Sequence, residues 1–413
     1  MKETKFKNTE IGRIPDDWEI RTINSFCSVK TGPFGSMLHA EDYVAKGTPI
    51  VTTEHFKNGI LPLVGKDIPQ VGIEDLKRMS SYTLTKDDIV FSRVGSVDIN
   101  ALVTVRQKGW LFSGRVLRVR PFKQTDSLYL HYGLLKHSVR SDIVSRAVGL
   151  TMASINTKIL GETELSLPPL NEQHSIASAL TSIDNLISSL GKLIEKKKNI
   201  KQGAMQQLLS GKIRLKEFTE PWVYRKISEI ATTSSGGTPS RSIPNYYYGD
   251  IKWFTTIELK DNYLYDSVEY ITREALNNSS AKMFSANTIL MAMYGATIGK
   301  LGVLKEPSTT NQACCAIKCN DIVEIFLFYI LLYNRKSIIE KGCGAGQPNI
   351  SQAIVNELSF LVPPCEKEQQ AIANILSKMD NEITALEAKR AKYEAIKQGM
   401  MQQLLTGKIR LIS

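Results

Sequence analysis

"AMQQLLSGKIRL" occupies residues 204–215, and "MMQQLLTGKIRL" occupies residues 400–411. Extended back to Lys201 and Lys397, the two stretches agree at 13 of 15 positions with an offset of 196. The same offset pairs Glu172-Gln173 with Glu368-Gln369, Ile176-Ala177 with Ile372-Ala373, and Asp184 with Asp380. Upstream, Pro168-Pro169 meets Pro363-Pro364 at an offset of 195. The starts of the two halves also match: "WEIRTI" (18–23) with "WVYRKI" (222–227), and "TGPFGS" (31–36) with "SGGTPS" (235–240). A repeat of this length sets the architecture before any local propensity is weighed. The chain is one unit used twice, and its middles, 40–130 and 245–320, have diverged almost completely.

The repeated part reads as a long helix. The first begins near Asn171 or Glu172, after the Pro168-Pro169 stop, and ends at Gly211, a residue type suited to a helix C-terminus. Its apolar positions are Ile176, Leu180, Ile183, Ile187, Leu190 and Ile194, in steps of four and three. The second helix gives Ile372, Leu376, Met379, Ile383 and Leu386, then Arg390 and Tyr393. Such spacing is a coiled-coil seam. Each helix runs about 40 residues, or roughly 60 Å, and a helix with one narrow stripe needs a partner. The nearest partner is its own copy, at high effective concentration on the same chain. Pseudo-twofold symmetry makes the pair antiparallel. Homodimerisation between chains is the competing use of the same seam. Gly203 and Gly399 stand at matching places inside the helices. Glycine there costs about 1 kcal/mol, so matching glycines point to close backbone packing, against another subunit or within the chain.

The middles read as mixed α/β. Short β-rich runs dominate: "GTPIVTTEHF" (47–56), "DDIVFSRVG" (87–95), "ALVTVR" (101–106) and "GRVLRVRPF" (114–122) in the first half. In the second they are "IKWFTTIEL" (251–259), "NTILMAMYGATIGKLGVL" (287–304) and "ACCAIKC" (313–319). One amphipathic helix follows each, near 126–146 and 321–341. The fold class is therefore α+β: two mixed α/β domains in a pseudo-twofold tandem repeat, separated by two long helices forming an antiparallel coiled coil. The segments are 1–165 (first domain), 166–215 (first long helix), 216–359 (second domain) and 360–413 (second long helix).

The net charge of +11 and the pI of about 9.2 favour a polyanionic partner. The N-terminus, "MKETKFKNTEIGRIPDDW", is too polar for a signal peptide. The longest apolar run, "IVEIFLFYILLY" (322–333), is too short to span a bilayer and holds Glu324. No membrane association is expected, and the location is cytoplasmic. Six cysteines (27, 314, 315, 319, 343, 365) are scattered and read as reduced thiols, mostly buried in strands. Cys315 and Cys319 lack a second ligand pair at metal spacing.

Basic, aromatic and amide side chains near the ends of the β-rich runs suit nucleic acid. The candidates are Lys57, Arg93, Arg115 and Arg118 in the first half, and Arg241, Lys252, Trp253, Tyr294, Lys300, Gln347 and Asn349 in the second. Arginine grips guanine O6/N7 with two hydrogen bonds, and Gln or Asn does the same at adenine N6/N7. Lysine mainly neutralises phosphate. The chain has no Gly-x-x-x-x-Gly-Lys-Ser/Thr loop, no His-Glu-x-x-His and no Asn-Pro-Pro-aromatic tetrad. "GCGAG" (342–346) follows a helix, not a strand, so the strand–loop–helix cradle of a cofactor is missing. The pattern is that of a reader, with no catalytic or metal residue and no cofactor of its own. A DNA methyltransferase or nuclease with its own catalytic site, or a coiled-coil scaffold without DNA specificity, are the alternatives.

On "LPPLNEQHSIA" and "VPPCEKEQQAIA" before the helices, "MQQLLSGKIRL" and "MQQLLTGKIRL" at their ends, and "YGATIGK" (294–300), the chain resembles the specificity (S) subunit of type I restriction–modification systems. The resemblance covers the full chain, with "RVGSVDI" (93–99) in the first domain where the second has "MYGATIG". It implies two target recognition domains, each reading half of a bipartite site in double-stranded DNA. It implies docking of two methyltransferase (modification) subunits, and of restriction subunits in the full complex. S-adenosylmethionine, and the ATP and Mg used in restriction, would be bound by those partners. Two equivalent partners need two equivalent docking surfaces, which is a reason to write one helix end twice.

Overall fold

The structure, a computed structural model, describes residues 5–33, 37–65, 67–149, 151–342 and 349–412. It divides into two compact units, residues 1–191 with 389–413 and residues 192–388. The division falls inside the two long helices, Leu170–Leu208 and Glu366–Leu404, each of 39 residues. Each unit therefore holds one mixed α/β domain, the start of the helix that follows it, and the end of the other helix. Within a unit these two helix segments run antiparallel. In the first, Asp184 pairs with Lys397 and Glu172 with Arg410; in the second, Asp380 pairs with Lys201 and Glu368 with Arg214.

Both helices start and stop as their sequences dictate. A proline pair precedes each, and Gln173 and Gln369 fold back to donate to the carbonyls of Pro168 and Pro363 (both 2.9 Å). Their Oε1 atoms accept from Asp126 N (3.0 Å) and Val323 N (2.9 Å), at the start of each domain's apolar helix. Gly211 and Gly407 both take φ +68° beyond the helix ends, a conformation that glycine alone adopts freely. Of the seam residues, Ile176, Leu180, Ile183, Leu190, Ile194, Ile372, Leu376 and Ile383 are buried, while Ile187, Met379, Leu386 and Tyr393 are half-buried.

In the first unit a four-stranded antiparallel sheet runs in the order 27–31, 116–121, 89–92, 100–102. Side chains alternate across it. One face, with Ile89, Phe91, Leu117 and Val119, packs on Leu130 and Leu134, on Ile176 and Leu180 of the first long helix, on Met401 and Leu404 of the second, and on Leu405 just beyond it. The other face, with Val90 and Val116, packs on Val51 and Phe112. Those two belong to a second sheet, 111–112, 48–51, 70–71, 43–44, in which 111–112 and 48–51 are parallel.

The second unit repeats this plan with other residues. Its main sheet is 231–235, 314–319, 289–292, 301–304, extended by 262–264. Ile289, Met291, Cys315 and Ile317 pack on Phe326 and Leu327, on Ile372 and Leu376, and on Met205, Leu208 and Leu209. Its second sheet, 269–271, 251–254, 308–310, 283–284, again contains one parallel pair, 251–254 with 308–310. The registers coincide: Val116 faces Ser92 and Leu117 faces Thr31, as Cys314 faces Ala292 and Cys315 faces Ser235. The middles thus share a framework that their sequences conceal.

Two local expectations change. The single helices expected near 126–146 and 321–341 are each two, Ser127–Leu134 with His137–Ser145, and Glu324–Tyr333 with Arg335–Lys341. The first breaks because Lys136 adopts an extended backbone (φ −60°, ψ 132°) and the second because Asn334 leaves the helical region (φ −90°, ψ 7°). Among the described residues no helix is long and apolar enough to cross a membrane.

Candidate nucleic-acid interface

At one end of the main sheet, strands 27–31 and 89–92 finish and strand 116–121 begins. Loops 32–33, 93–99 and 113–115 consequently gather there. The second unit gathers 236–240, 293–300 and 311–313 at the equivalent end. The backbone hydrogen bonds that shape the two clusters are the same. Gly32 N donates to Val116 O (3.1 Å) and Gly236 N to Cys314 O (3.4 Å). Arg93 N donates to Arg115 O (3.0 Å) and Met293 N to Ala313 O (2.9 Å). Ile155 N donates to Arg93 O (2.9 Å) and Ile350 N to Met293 O (2.7 Å). Gly95 and Gly295 turn both loops at φ +86° and +81°. A Cβ on Gly32 would strike the Ser113 carbonyl, and one on Gly236 would strike Thr310. "RVGSVDI" and "MYGATIG" are therefore one loop with two sets of side chains.

The structure sorts the candidate residues into three groups. At the loop clusters are Arg93, Arg115, Tyr294 and Asn349. Arg93 is half-buried and its Nη1 donates to Gly114 O (2.8 Å), so it braces the neighbouring loop. Arg115 is exposed at that loop's tip. Tyr294, 38% exposed, forms a β-bridge with the exposed Asn349. Gln347 lies outside the described residues. A second group is engaged in ion pairs with its own chain. Lys300 Nζ donates to Asp261 (3.1 Å), which also receives Arg335. Lys252 reaches Glu306 and Asp266, and donates to Tyr265 O (2.5 Å). Arg241 forms a two-pronged pair with Glu269 (2.5 and 2.8 Å) over the Tyr247 ring. Lys57 pairs with Glu54 on the surface. The third group is buried. Trp253 is 2% exposed and its Nε1 donates to Gly237 O (2.9 Å), so it holds the 236–240 loop from within. Arg118 is 6% exposed, within the sheet.

The other repeated side chains make two clamps whose members the sequence displayed without their roles. Glu172 and Glu368 are 1% and 0% exposed. Arg410 Nε and Nη2 donate to Glu172 (both 2.8 Å), Trp18 Nε1 donates to the same carboxylate (3.1 Å), and Arg410 lies 5.8 Å from the Trp18 ring centre. In the second unit Arg214 donates to Glu368 (2.6 and 2.8 Å), Trp222 Nε1 adds a bond of 3.2 Å, and Arg214 lies 5.6 Å from the Trp222 ring centre. The hydrogen bonds that Arg410 donates to Glu172 and Asp17 raise its affinity for its proton. A buried carboxylate needs this two-pronged charge partner. The "GKIRL" arginine of one repeat thus closes on the "EQ" glutamate and the opening tryptophan of the other. The signal was present: all three recur at matching positions.

A second repeated triad lies nearer the middle of the helices. Tyr132 OH donates to Asp184 (2.8 Å), which pairs with Lys397 (2.7 Å). Tyr329 OH donates to Asp380 (2.7 Å), which pairs with Lys201 (2.5 Å). This explains why the near-identical stretch begins at Lys201 and Lys397. In contrast, a Cβ at Gly203 or Gly399 would meet no described atom within 4 Å. Close packing within the chain is therefore not what places glycine there. Gln202, Gln206, Gln398 and Gln402 are exposed as well, and so are Ile213 (49%) and Ile409 (52%).

Cys314 and Cys315 are buried in strand 314–319, and burial pushes both thiols up to about 12. They act as small apolar groups. No group of three His, Cys, Asp or Glu with metal-binding geometry occurs among the described residues.

Comparison with known proteins agrees with this geometry. The family profile described as "Type I restriction modification DNA specificity domain" matches twice, over residues 15–202 and 219–398. The type I restriction enzyme MjaVIII specificity subunit of Methanocaldococcus jannaschii is 28% identical over 441 residues, covering 99% of this chain and 97% of that protein. The putative MjaX specificity subunit of the same organism is 28% identical over 436 residues, covering 99% and 98%. The crystal structure of the S subunit of a type I restriction–modification system from M. genitalium matches with a TM-score of 0.62 at 18% identity, covering 94% of this chain and 96% of that one. At that identity the likeness speaks for the fold.

Proposed function

The chain belongs to the family of type I restriction–modification specificity subunits, and on that premise we propose that its two domains each read one half of a bipartite site in double-stranded DNA. The observation that carries this reading is the pair of sheet-end loop clusters. Their backbones are bonded alike, while their side chains differ at nearly every position. A shared frame with exchanged side chains is what two readers of different bases require, because base edges are distinguished by side-chain donors and acceptors. Arg93 and Arg115 serve the first half-site, and Tyr294, Asn349 and Gln347 the second. Lys252, Lys300, Arg241 and Lys57 are held by carboxylates of their own chain and reach a phosphate only by exchanging those partners, and Trp253 supports a loop.

The chain carries no methyl transfer or cleavage itself. Two methyltransferase subunits dock on it, and restriction subunits join in the full complex. S-adenosylmethionine, ATP and Mg belong to those partners. Support for paired docking comes from the exposed residues of the repeated helix ends. Gln202, Gln206, Lys212 and Ile213 are exposed and recur as the exposed Gln398, Gln402, Lys408 and Ile409, and the open Gly203 recurs as Gly399. Packing within the chain does not maintain identity at exposed positions, and the helix penalty of each open glycine is left unrepaid by the chain alone. Two copies of one partner account for both. With its DNA partner, the subunit works in the cytoplasm.

Binding to a panel of duplexes substituted one base pair at a time tests the reading. Arg115→Ala is expected to lose about 1–3 kcal/mol of discrimination at one base pair of one half-site. Asn349→Ala should do the same in the other half only. Both variants losing discrimination in the same half, or neither losing any, contradicts two independent readers.

A further inference from the structure

Arg118 has an unusual place for an arginine. It stands inside the main sheet of the first unit, facing Lys30 on one neighbouring strand and Val90 on the other. It is 6% exposed, and its Nε is sealed from solvent without a hydrogen-bond partner among the described residues. Its guanidinium lies 6.0 Å from the centre of the Phe112 ring. The nearby buried acid, Asp88, is occupied: Arg120 donates to it with Nε (2.6 Å) and Nη2 (2.7 Å). Lys30 donates to Ser81 O (3.0 Å) and sits 4.3 Å from the Tyr82 ring centre. Three cations, Lys30, Arg118 and Arg120, thus share one carboxylate.

The electrostatics record the imbalance. Burial, then Arg120, lowers the affinity of Arg118 for its proton against a smaller opposing effect of Asp88. Burial, then Arg118 and Arg120, lowers that of Lys30. A buried cation that must share its only nearby carboxylate is costly in a protein interior. The framework does not demand it. In the second unit the same register places Ala316 at the Arg118 position, Ser234 at Lys30 and Thr288 at Asp88, and that sheet forms equally well.

We propose that Lys30 and Arg118 form an oxyanion site, present in the first domain only, that takes a phosphate group. Lys30 and Tyr82 are part-exposed and give the site its opening. The guanidinium offers a planar fork that matches two phosphate oxygens, and the ammonium adds a point charge beside it. The phosphate comes either from the DNA backbone or from a free anion. The first source extends the DNA-reading role proposed above; the second does not need it.

The test uses the full chain and inorganic phosphate, read as the thermal midpoint against chloride at constant ionic strength. A ligand that binds only the folded state raises that midpoint. Wild type should rise by several degrees, and Arg118→Met and Lys30→Met should lose the rise. In chloride alone, Arg118→Met should be at least as stable as wild type, because it removes a buried charge that must share its only nearby carboxylate. A lower midpoint for Arg118→Met in chloride means that the arginine holds the sheet together, and overturns the proposal. So does an equal rise in all three proteins, or a rise in none. Titration with target duplex then identifies the source. Affinity lost uniformly across half-site variants, with the salt slope reduced by about one, assigns the site to a backbone phosphate. Unchanged DNA affinity assigns it to a free anion, and either result leaves the site standing. Failure of the half-site reading would appear separately, as unaltered discrimination in Arg115→Ala, without touching the phosphate response.

Discussion

The helix-end clamps and the sheet-end loops are both present twice, and they are repeated in opposite ways. The clamps repeat side chains: Trp18, Glu172 and Arg410 correspond to Trp222, Glu368 and Arg214, bond for bond. The loops repeat backbone: Gly32, Gly95 and the carbonyl of Arg93 correspond to Gly236, Gly295 and the carbonyl of Met293. Where a side chain makes the contact, the sequence is held fixed. Where the backbone makes it, every non-glycine side chain is released, and those side chains are the ones able to face a base. The clamps also differ: Arg410 takes Asp17 as a second acid, where Arg214 donates to the Glu220 carbonyl. Arg214 is eight residues from Trp222, whereas Arg410 reaches Trp18 from the far end of the chain.

That difference sets the largest expected effect. Removing Arg410 leaves Glu172 charged and buried, which costs about 3–5 kcal/mol. Arg410→Ala should lower protection in the first unit alone, and Arg214→Ala in the second alone, by amide hydrogen exchange. A loss shared evenly by both units would show that the clamps do not act unit by unit.

Acid should separate the units too. His131 is half-buried, its Nδ1 donates to Asn100 (2.6 Å), and desolvation, reinforced by Lys397 and opposed by Asp184, pulls its pKa down to about 4. The position corresponding to it in the second unit is Phe328. With a folded pKa below the unfolded value of about 6.5, neutral His131 contributes stability that is full above pH 6.5. That stability is lost as pH falls towards 4, by about 3 kcal/mol in all. The first unit should therefore open before the second on acidification, and His131→Phe should abolish the difference. The second unit opening first in wild type would contradict this assignment.

A smaller effect falls on the loops. Gly32→Ala and Gly236→Ala force a methyl group against a backbone carbonyl or Thr310, with a cost of about 1–3 kcal/mol. Each should disturb recognition of its own half-site while leaving both clamps protected in exchange experiments. Normal discrimination in both variants would remove the loops from the interface.

Much of this was legible in the residues. The repeat located the helices, the seam and the antiparallel pairing, because apolar spacing and prolines act locally. Arg93, Arg115, Tyr294 and Asn349 were visible as residue types suited to loop tips. Arg118, Trp253 and Lys252 were not separable from them by sequence. Whether a strand residue faces a second sheet or meets Glu306 depends on register between segments far apart in the chain. The clamps were in view as matched letters, but a buried glutamate is indistinguishable from a solvated one until its arginine, 238 residues away, is placed against it.

The most direct test replaces one reader with the other. In a chain whose residues 18–167 are exchanged for 222–362, both domains carry the second loop cluster, and Arg410 meets Glu172 as before and a tryptophan, the copy of Trp222, in place of Trp18. Methylation sites are then mapped in cells that supply the partner subunits. The expected site has two halves that specify the same bases, those of the second half-site of the wild-type enzyme. Persistence of the first half-site's bases in an active, assembled enzyme would contradict it.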